Sequence, residues 1–216
     1  MAGKIYKVLL VDPHAIYRAG LEAVLLRHFP NMEVKHAATP REALDFLGRE
    51  RWNLIVADIK MEGRNGLGIL EEARRLDPPV PLLVISSYPV QPFGCRAIQQ
   101  GAAGYMGKEL KEAELLGAVG KILEGGRYIS GELALALADA INRHAEHPRH
   151  ETLSNRELHV LIELVNGKCV KEIASALSLS PKTVSTYRSR VAEKLGIHSD
   201  TELVKYCIKH NLISPI

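Results

Sequence analysis

Long apolar runs are missing from this chain of 216 residues. None approaches the roughly 18 residues that a membrane-crossing helix needs. The first, Val8–Val11, stops at Asp12, too early for the core of a signal peptide. A cytoplasmic protein with no membrane partner is the expectation. Cysteine is scarce: Cys95, Cys169 and Cys207 are odd in number, far apart and in no metal-binding spacing. That excludes a disulfide framework and fits free thiols in a reducing compartment. An excess of charge of one sign is missing too, since the net charge of +3 is too small to announce a nucleic-acid binder by itself.

What is present is ordinary globular composition, 46% apolar and 25% charged, over a length that holds two small domains or one large one. The charge is unevenly placed. Residues 151–216 carry nine Lys/Arg against seven Asp/Glu, yet Pro181 to Lys194 sets Lys182, Arg188, Arg190 and Lys194 against Glu193 alone. A local excess of this kind fits a footprint on DNA phosphates as well as a solvated helix face. His144, His147 and His150 have the look of a ligand series, but they stand in a polar stretch broken by Pro148. The stretch Asn142 to Thr152 reads as an interdomain linker.

The first 125 residues alternate short apolar runs with longer amphipathic ones. The strands are expected at Ile5–Val11, Glu33–Ala37, Leu54–Asp58, Leu82–Ser86 and Gly104–Met106. Helical patterns lie near His14–Leu26, Pro40–Leu47, Gly66–Leu76, Pro92–Gln100 and Ala113–Leu123. Thr39, Pro40 and Glu42 form a helix start with a capping box. Such alternation implies an α/β domain with a five-stranded, doubly wound parallel sheet, covered on both faces. In these sheets the chemistry collects at the carboxyl ends of the strands. There the sequence puts Asp12, Asp58, the pair Ser86-Ser87, and Lys108: two acids, hydroxyls and a lysine on one rim.

After a helix expected from Glu132 to about His144, the last 65 residues are helical throughout. Ser154 and Glu157 make a capping box, with Leu153 and Leu158 placed for a hydrophobic staple. Leu158, Leu161, Ile162 and Val165 share a face, and Gly167 closes the helix. Val170, Ile173, Ala174 and Leu177 give a second, short helix, and Ser178-Leu179 turns the chain. Ser180-Pro181 opens a third helix with Val184, Tyr187, Val191 and Leu195 inward. Ser199 and Glu202 cap a fourth. A short helix, a tight turn and a basic helix match the helix-turn-helix plan.

Both halves resemble the two-component response regulators of the NarL/FixJ class, which join a receiver domain to a LuxR-type helix-turn-helix. The resemblance rests on "VLLVD", "LIVADIKMEGRNGLGIL", "LLVISS" and "GAAGYMGK" in the first half, and on "LSNRELHVLIELVNGKCVKEIASALSLSPKTVSTYRSRVAEKLGIHS" in the second. "QPFGCRAIQQGAAGYM", "GGRYIS" and "LSPKTVSTYRSR" look most like the GacA/UvrY-type regulators. The resemblance implies a flavodoxin-like receiver over residues 1–127, a helix and linker over 128–151, and an all-α four-helix DNA-binding domain over 152–216. It implies Asp58 as phosphoacceptor and a sensor histidine kinase as partner. Lys108 and Ser86 would hold the phosphoryl oxygens, and Tyr105 would be the aromatic switch, moving inward with Ser86 on phosphorylation. Mg²⁺ would be held by Asp12, Asp58 and the backbone carbonyl of Lys60.

Family members carry two adjacent acids at the end of the first strand, and here the pair is Asp12-Pro13. Proline has no side-chain oxygen, so the site keeps two carboxylates and holds a hard cation more weakly. Glu62 is a possible replacement. His14 reads as a helix-start residue, because nitrogen suits Mg²⁺ poorly. Two outcomes stay open: phosphorylation of Asp58 with a weaker metal requirement, or a regulator that works without phosphate.

At the other end, the third helix is expected in the major groove. Ser185, Thr186 and Ser189 face base edges, while Lys171, Lys182, Arg188, Arg190 and Lys194 position the helix on phosphates. The amides of Lys182 and Thr183 offer a further phosphate site. A homodimer reading two half-sites of double-stranded promoter DNA is expected. The face around Leu203, Tyr206 and Cys207 is a candidate for its contact, with Tyr206 and Cys207 alternatively completing the small core. The rival enzyme, an aspartyl-phosphate hydrolase of the haloacid dehalogenase kind, needs an Asp two residues after its nucleophile. Asp12 is followed by Pro13-His14 and Asp58 by Ile59-Lys60, so no enzyme is expected.

Overall fold

The computed structural model describes residues 5–61, 66–109, 111–142, 148–210 and 212–213. Glu62, His144 and His147 lie outside the described residues. The chain divides into two compact units, residues 1–135 and 136–216.

In the first unit, β1 (Tyr6–Val11), α1 (Ala15–His28), β2 (Met32–Ala37), α2 (Pro40–Leu47), β3 (Leu54–Ala57), α3 (Gly66–Arg75), β4 (Leu82–Ser86), α4 (Cys95–Gln99), β5 (Gly104–Gly107) and α5 (Glu112–Leu123) follow in order. The five strands form one parallel sheet in the order β2-β1-β3-β4-β5. Side chains alternate across it. Val8, Leu10, Leu54, Val56, Leu83 and Ile85 pack with Leu21 and Leu25 of α1 and Leu115, Val119 and Ile122 of α5. The intervening Leu9, Val11, Ile55, Ala57 and Val84 are equally buried on the opposite face. Burial on both faces is why these strands read as near-continuous apolar runs. The order reverses between β1 and β3, and the carboxyl ends of the two strands flanking such a reversal are where ligands of these sheets bind. Asp12 and Asp58 are the residues that follow them.

Local signals shape the helices. Thr39 Oγ1 accepts from the Glu42 amide at 3.2 Å, while the Glu42 carboxylate reaches the Ala38 amide at 2.7 Å instead of closing the box on Thr39. The helix expected over Pro92–Gln100 is present as α4 (Cys95–Gln99), and one wide helical turn, Val90–Gly94, leads into it. Gln91 is extended inside that turn (φ −102°, ψ 126°), as a residue before proline is disposed to be.

α6 (Gly131–Asn142) follows, one residue earlier at its start than expected. In the second unit a tight turn, Arg149–Thr152, precedes α7 (Asn155–Val165), α8 (Val170–Ala176), α9 (Pro181–Leu195) and α10 (Asp200–Lys209). The end of the stretch read as a linker is therefore ordered. His150 is buried, and its amide donates to the Tyr206 hydroxyl at 3.1 Å. Ser154 and Glu157 exchange both bonds of a capping box at the start of α7. Val160, Ile173, Ala174, Leu177 and Val184 form the core between α7, α8 and α9. The turn after α8 holds Ser178 at φ +50°, left-handed for a residue with a side chain. Gly196 ends α9 at φ +66°, where a Cβ would also lie 2.5 Å from the Arg149 guanidinium. Leu203 and Cys207 are buried inside this unit, which removes them from the open dimer face considered above and assigns them to the core.

Candidate functional site

The amide of Asp58 continues the sheet ladder by donating to Val11 O at 2.8 Å, and that of Asp12 donates to Ala37 O at 3.2 Å. Both carboxylates thus start from rigid strand ends, 3% and 2% exposed for Asp12 and Asp58. Lys108 follows β5, and its amide is tied to Ser86 O at 2.9 Å. Its ammonium lies 2.5 Å from Asp12 Oδ2 and 2.8 Å from Asp58 Oδ2, with the Tyr17 ring 4.7 Å away. Asp58 Oδ1 accepts from the Lys60 amide at 2.8 Å.

Two acids share one ammonium here. Burial raises the Asp58 pKa, and Lys108 and the Lys60 amide offset this only in part. For Lys108, burial would favour the neutral amine, but bonds to Asp12 and Asp58 outweigh it and its pKa is raised. Burial, with the two carboxylates nearby, pushes the Tyr17 hydroxyl up to about 12.

Ser86, placed on this rim by sequence, and Tyr105, the switch residue that the resemblance implies, are both fully buried. Tyr105 donates to Tyr88 O at 2.8 Å, and Ser86 Oγ accepts from the Tyr88 amide at 3.1 Å. The two are therefore bridged by one residue that sequence reading missed. Tyr88 in turn stacks on Phe93 with centroids 4.6 Å apart. Its signal was faint, an aromatic two residues after Ser86.

Pro13 is exposed, and the structure brings His14 to the site instead. His14 is the N-cap of α1, as a helix-start residue should be, but its ring turns back. Its amide and its Nδ1 lie 2.7 and 2.8 Å from Asp12 Oδ1, and Nδ1 is 3.5 Å from Lys108 Nζ. Asp12, His14 and Asp58 each place one ligand atom within 4.8 Å of the others. Two carboxylates fit a divalent cation with water completing its shell.

On α9, Lys182, Ser185, Thr186, Ser189 and Arg190 are exposed, as is Lys171 on α8. Thr186 Oγ1 donates to Lys182 O at 3.0 Å and Ser189 Oγ to Ser185 O at 3.1 Å, so both hydroxyls turn lone pairs outward. Three expected contacts are committed within the unit. The Thr183 amide is not free for phosphate: Ser180 Oγ accepts from it at 3.1 Å, the ordinary consequence of a serine N-cap. Arg188 holds Asp200 with two bonds of 2.8 and 2.9 Å. Lys194 lies 2.7 Å from Glu157 Oε2 and 3.3 Å from Thr152 O.

Among the described residues no helix is long and apolar enough to cross a membrane. The family described as "Response regulator receiver domain" matches residues 8–120, and that described as "Bacterial regulatory proteins, luxR family" matches residues 151–207. The response regulator GacA of Pseudomonas aeruginosa is 35% identical over 96% of this chain and 97% of its own. The response regulator UvrY of Escherichia coli K12 is 33% identical over 95% and 94%. Among solved structures, the response regulator ChrA of a heme-sensing two-component system is similar at 27% identity and a TM-score of 0.50, covering 97% of this chain and 99% of that one. RcsB from Salmonella enterica serovar Typhimurium, bound to promoter rprA with the phosphomimetic BeF₃⁻, shares the fold at 21% identity and a TM-score of 0.63, over 94% and 98%.

Proposed function

We infer the function from one premise: the chain belongs to the response regulators of two-component systems, with a receiver domain joined to a LuxR-family domain. It is a DNA-binding transcription regulator controlled by phosphorylation, and Asp58 is its phosphoacceptor. The observation that carries this is the buried pair of carboxylates bridged by Lys108.

Asp58 Oδ1 is held by a backbone amide, that of Lys60, while Oδ2 is held by the Lys108 side chain, which can leave with the charge, so Oδ2 is the attacking oxygen. It forms the new O–P bond while the P–N bond to a phosphohistidine of the partner kinase breaks. The electron pair and then a proton go to the histidine ring. Lys108 follows the charge from Asp58 to the phosphoryl oxygens, and Ser86 supplies a hydroxyl at the same rim. A divalent cation, Mg²⁺ in the receiver family, neutralises phosphate oxygens when bound to Asp12, Asp58 and the Lys60 carbonyl. The acyl phosphate carries about 1.5 to 2 negative charges where the carboxylate carried one, and projects them further out on the rim. Ser86 and Tyr105 report it through their common partner Tyr88.

The receiver occupies residues 1–127, the helix and linker 128–151, and the DNA-binding domain 152–216. Dimers in the cytoplasm read paired half-sites about one helical turn, ~34 Å, apart. Ser185, Thr186 and Ser189 read bases; Thr186 and Ser189, whose protons are spent on carbonyls, accept from exocyclic amino groups. Lys171, Lys182 and Arg190 grip phosphate, and Arg188 does so with the N–H groups that Asp200 leaves over. Lys194 holds α9 to the start of α7.

Intact mass after incubation with acetyl phosphate and a divalent cation tests the reading. One added phosphoryl group, lost when the cation is removed and lost in Asp58→Ala, is the expected result. An unchanged adduct in Asp58→Ala would move the acceptor elsewhere.

A further inference from the structure

We infer that His14 is a metal ligand of the receiver site, standing in for the acid that Pro13 removes, so that the site prefers a first-row transition-metal cation over Mg²⁺. This rests on the reading of Asp12 and Asp58 as the cation site of a receiver.

Three observations converge. The first is spacing. Ligand atoms of an octahedral ion at about 2.1 Å lie about 3 Å apart when adjacent and about 4.2 Å when opposite. Asp12 Oδ1 and His14 Nδ1 are 2.8 Å apart, an adjacent pair, and with an Asp58 oxygen the set spans no more than 4.8 Å. A contraction of about half an ångström would seat all three on one ion.

The second is that a cation already sits among them. The Lys108 ammonium lies 2.5 Å from Asp12, 2.8 Å from Asp58 and 3.5 Å from His14 Nδ1. The two carboxylates have therefore converged on a positive charge with the His14 ring beside them; Nδ1 donates to Asp12 in this arrangement and ligates a metal in the tautomer that carries its proton on Nε2. An entering metal ion replaces that ammonium and releases Lys108 toward the phosphoryl oxygens.

The third is the donor set. The side chain of His14 is 67% exposed, so its ring flanks the buried acids from the solvent side, where water completes the coordination. The residue is pinned by its own amide to Asp12 Oδ1 at 2.7 Å, which fixes where the ring starts. An imidazole nitrogen is a poor ligand for Mg²⁺ and a better one for first-row transition ions, increasingly so from Mn²⁺ to Cu²⁺. Replacing a carboxylate by imidazole therefore costs Mg²⁺ more than it costs them. Against this stands the plain alternative that the ring only pairs with Asp12.

The test uses the full chain with no phosphodonor present, and Mn²⁺ and Mg²⁺ as probes. Titration calorimetry measures both affinities for the wild type, His14→Asn, Pro13→Asp and Asp58→Ala. Pulsed electron paramagnetic resonance then asks whether bound Mn²⁺ couples to a directly bonded imidazole nitrogen. The expected result is nitrogen coupling in the wild type that disappears in His14→Asn. That variant should lose at least about tenfold in Mn²⁺ affinity, as disturbed metal shells do, with Mg²⁺ affinity within about twofold. Pro13→Asp should raise Mg²⁺ affinity and shrink the preference for Mn²⁺. Asp58→Ala should lose both the tight Mn²⁺ and its nitrogen signal. Asparagine keeps a side chain suited to an N-cap, and thermal melting confirms that each variant is folded. Absence of nitrogen coupling in the wild type, unchanged Mn²⁺ affinity in His14→Asn, or no Mn²⁺ binding at all would each overturn the inference. The receiver reading fails separately, through the acetyl phosphate experiment at saturating Mg²⁺, which reads the phosphoryl group on Asp58 and not the metal preference.

Discussion

Asp58 and Glu157 are both buried carboxylates beside a lysine, yet their pKa values move in opposite directions. Asp58 divides Lys108 with Asp12, so burial wins and its proton is held more tightly. At Glu157 burial also pulls upward, but the whole of Lys194 and the bonds to Ser154 outweigh it. The sign for stability follows. A carboxylate with a depressed folded pKa stabilises the fold above its unfolded value, and that contribution is lost as pH falls through the folded value. The second unit should therefore lose stability on acidification through and below the ordinary glutamate range, about 4.3. Glu157→Gln should flatten that dependence while costing stability at neutral pH. Urea melts followed between pH 6 and pH 3 check both. The place of Asp58 was legible because polar residues of complementary chemistry end several neighbouring strands at once, where one alone would read as a turn. His14 was not, because its contact with Asp12 depends on the chain bending back at an N-cap, which no residue pattern announces.

Sequence is most informative about helices where the cause is local. Thr39, Ser154, Ser180 and Ser199 each cap a helix as their neighbours require, since a cap is a bond between residues three apart. It is least informative where a charge has a distant partner. The basic residues of α9 look alike along the chain, but Lys194 meets Glu157, 37 residues away, and Arg188 meets Asp200. A phosphate contact by Lys194 would have to break its bond to the buried Glu157, whereas Arg188 keeps N–H groups to spare. Each phosphate contact contributes about one to the slope of log affinity against log salt. Lys182→Ala should lower that slope by about one with the fold intact. Lys194→Ala should leave the slope nearly unchanged and lower the melting temperature of the second unit, because it strands the buried Glu157. Fluorescence titration of a duplex selected from a random pool, repeated at several salt concentrations, separates the two. Periodicity found the helix that ends at Gln99, but not that its first turn is a wide one, Val90–Gly94, entered through the extended Gln91.

At the scale of the whole molecule, alternation of strand and helix was enough to foresee a parallel sheet, because both faces must be covered. The handful of polar residues at strand ends then located the crevice. What sequence leaves unspecified is how one unit informs the other, since that depends on the relative stability of conformations rather than on any motif. Thermodynamics still constrains it. If a phosphoryl group at Asp58 raises affinity for DNA by some factor, DNA must raise affinity for the phosphoryl state by the same factor. Beryllofluoride, a phosphomimetic that binds reversibly, makes both sides measurable. Its affinity for the protein should increase on addition of the selected duplex by the factor through which it tightens duplex binding. Equal factors above one would establish coupling between the two sites through shifted populations. Two factors equal to one would mean that DNA binding does not respond to the receiver. The role of Asp58 would then have to be sought in phosphorylation without control of the second unit.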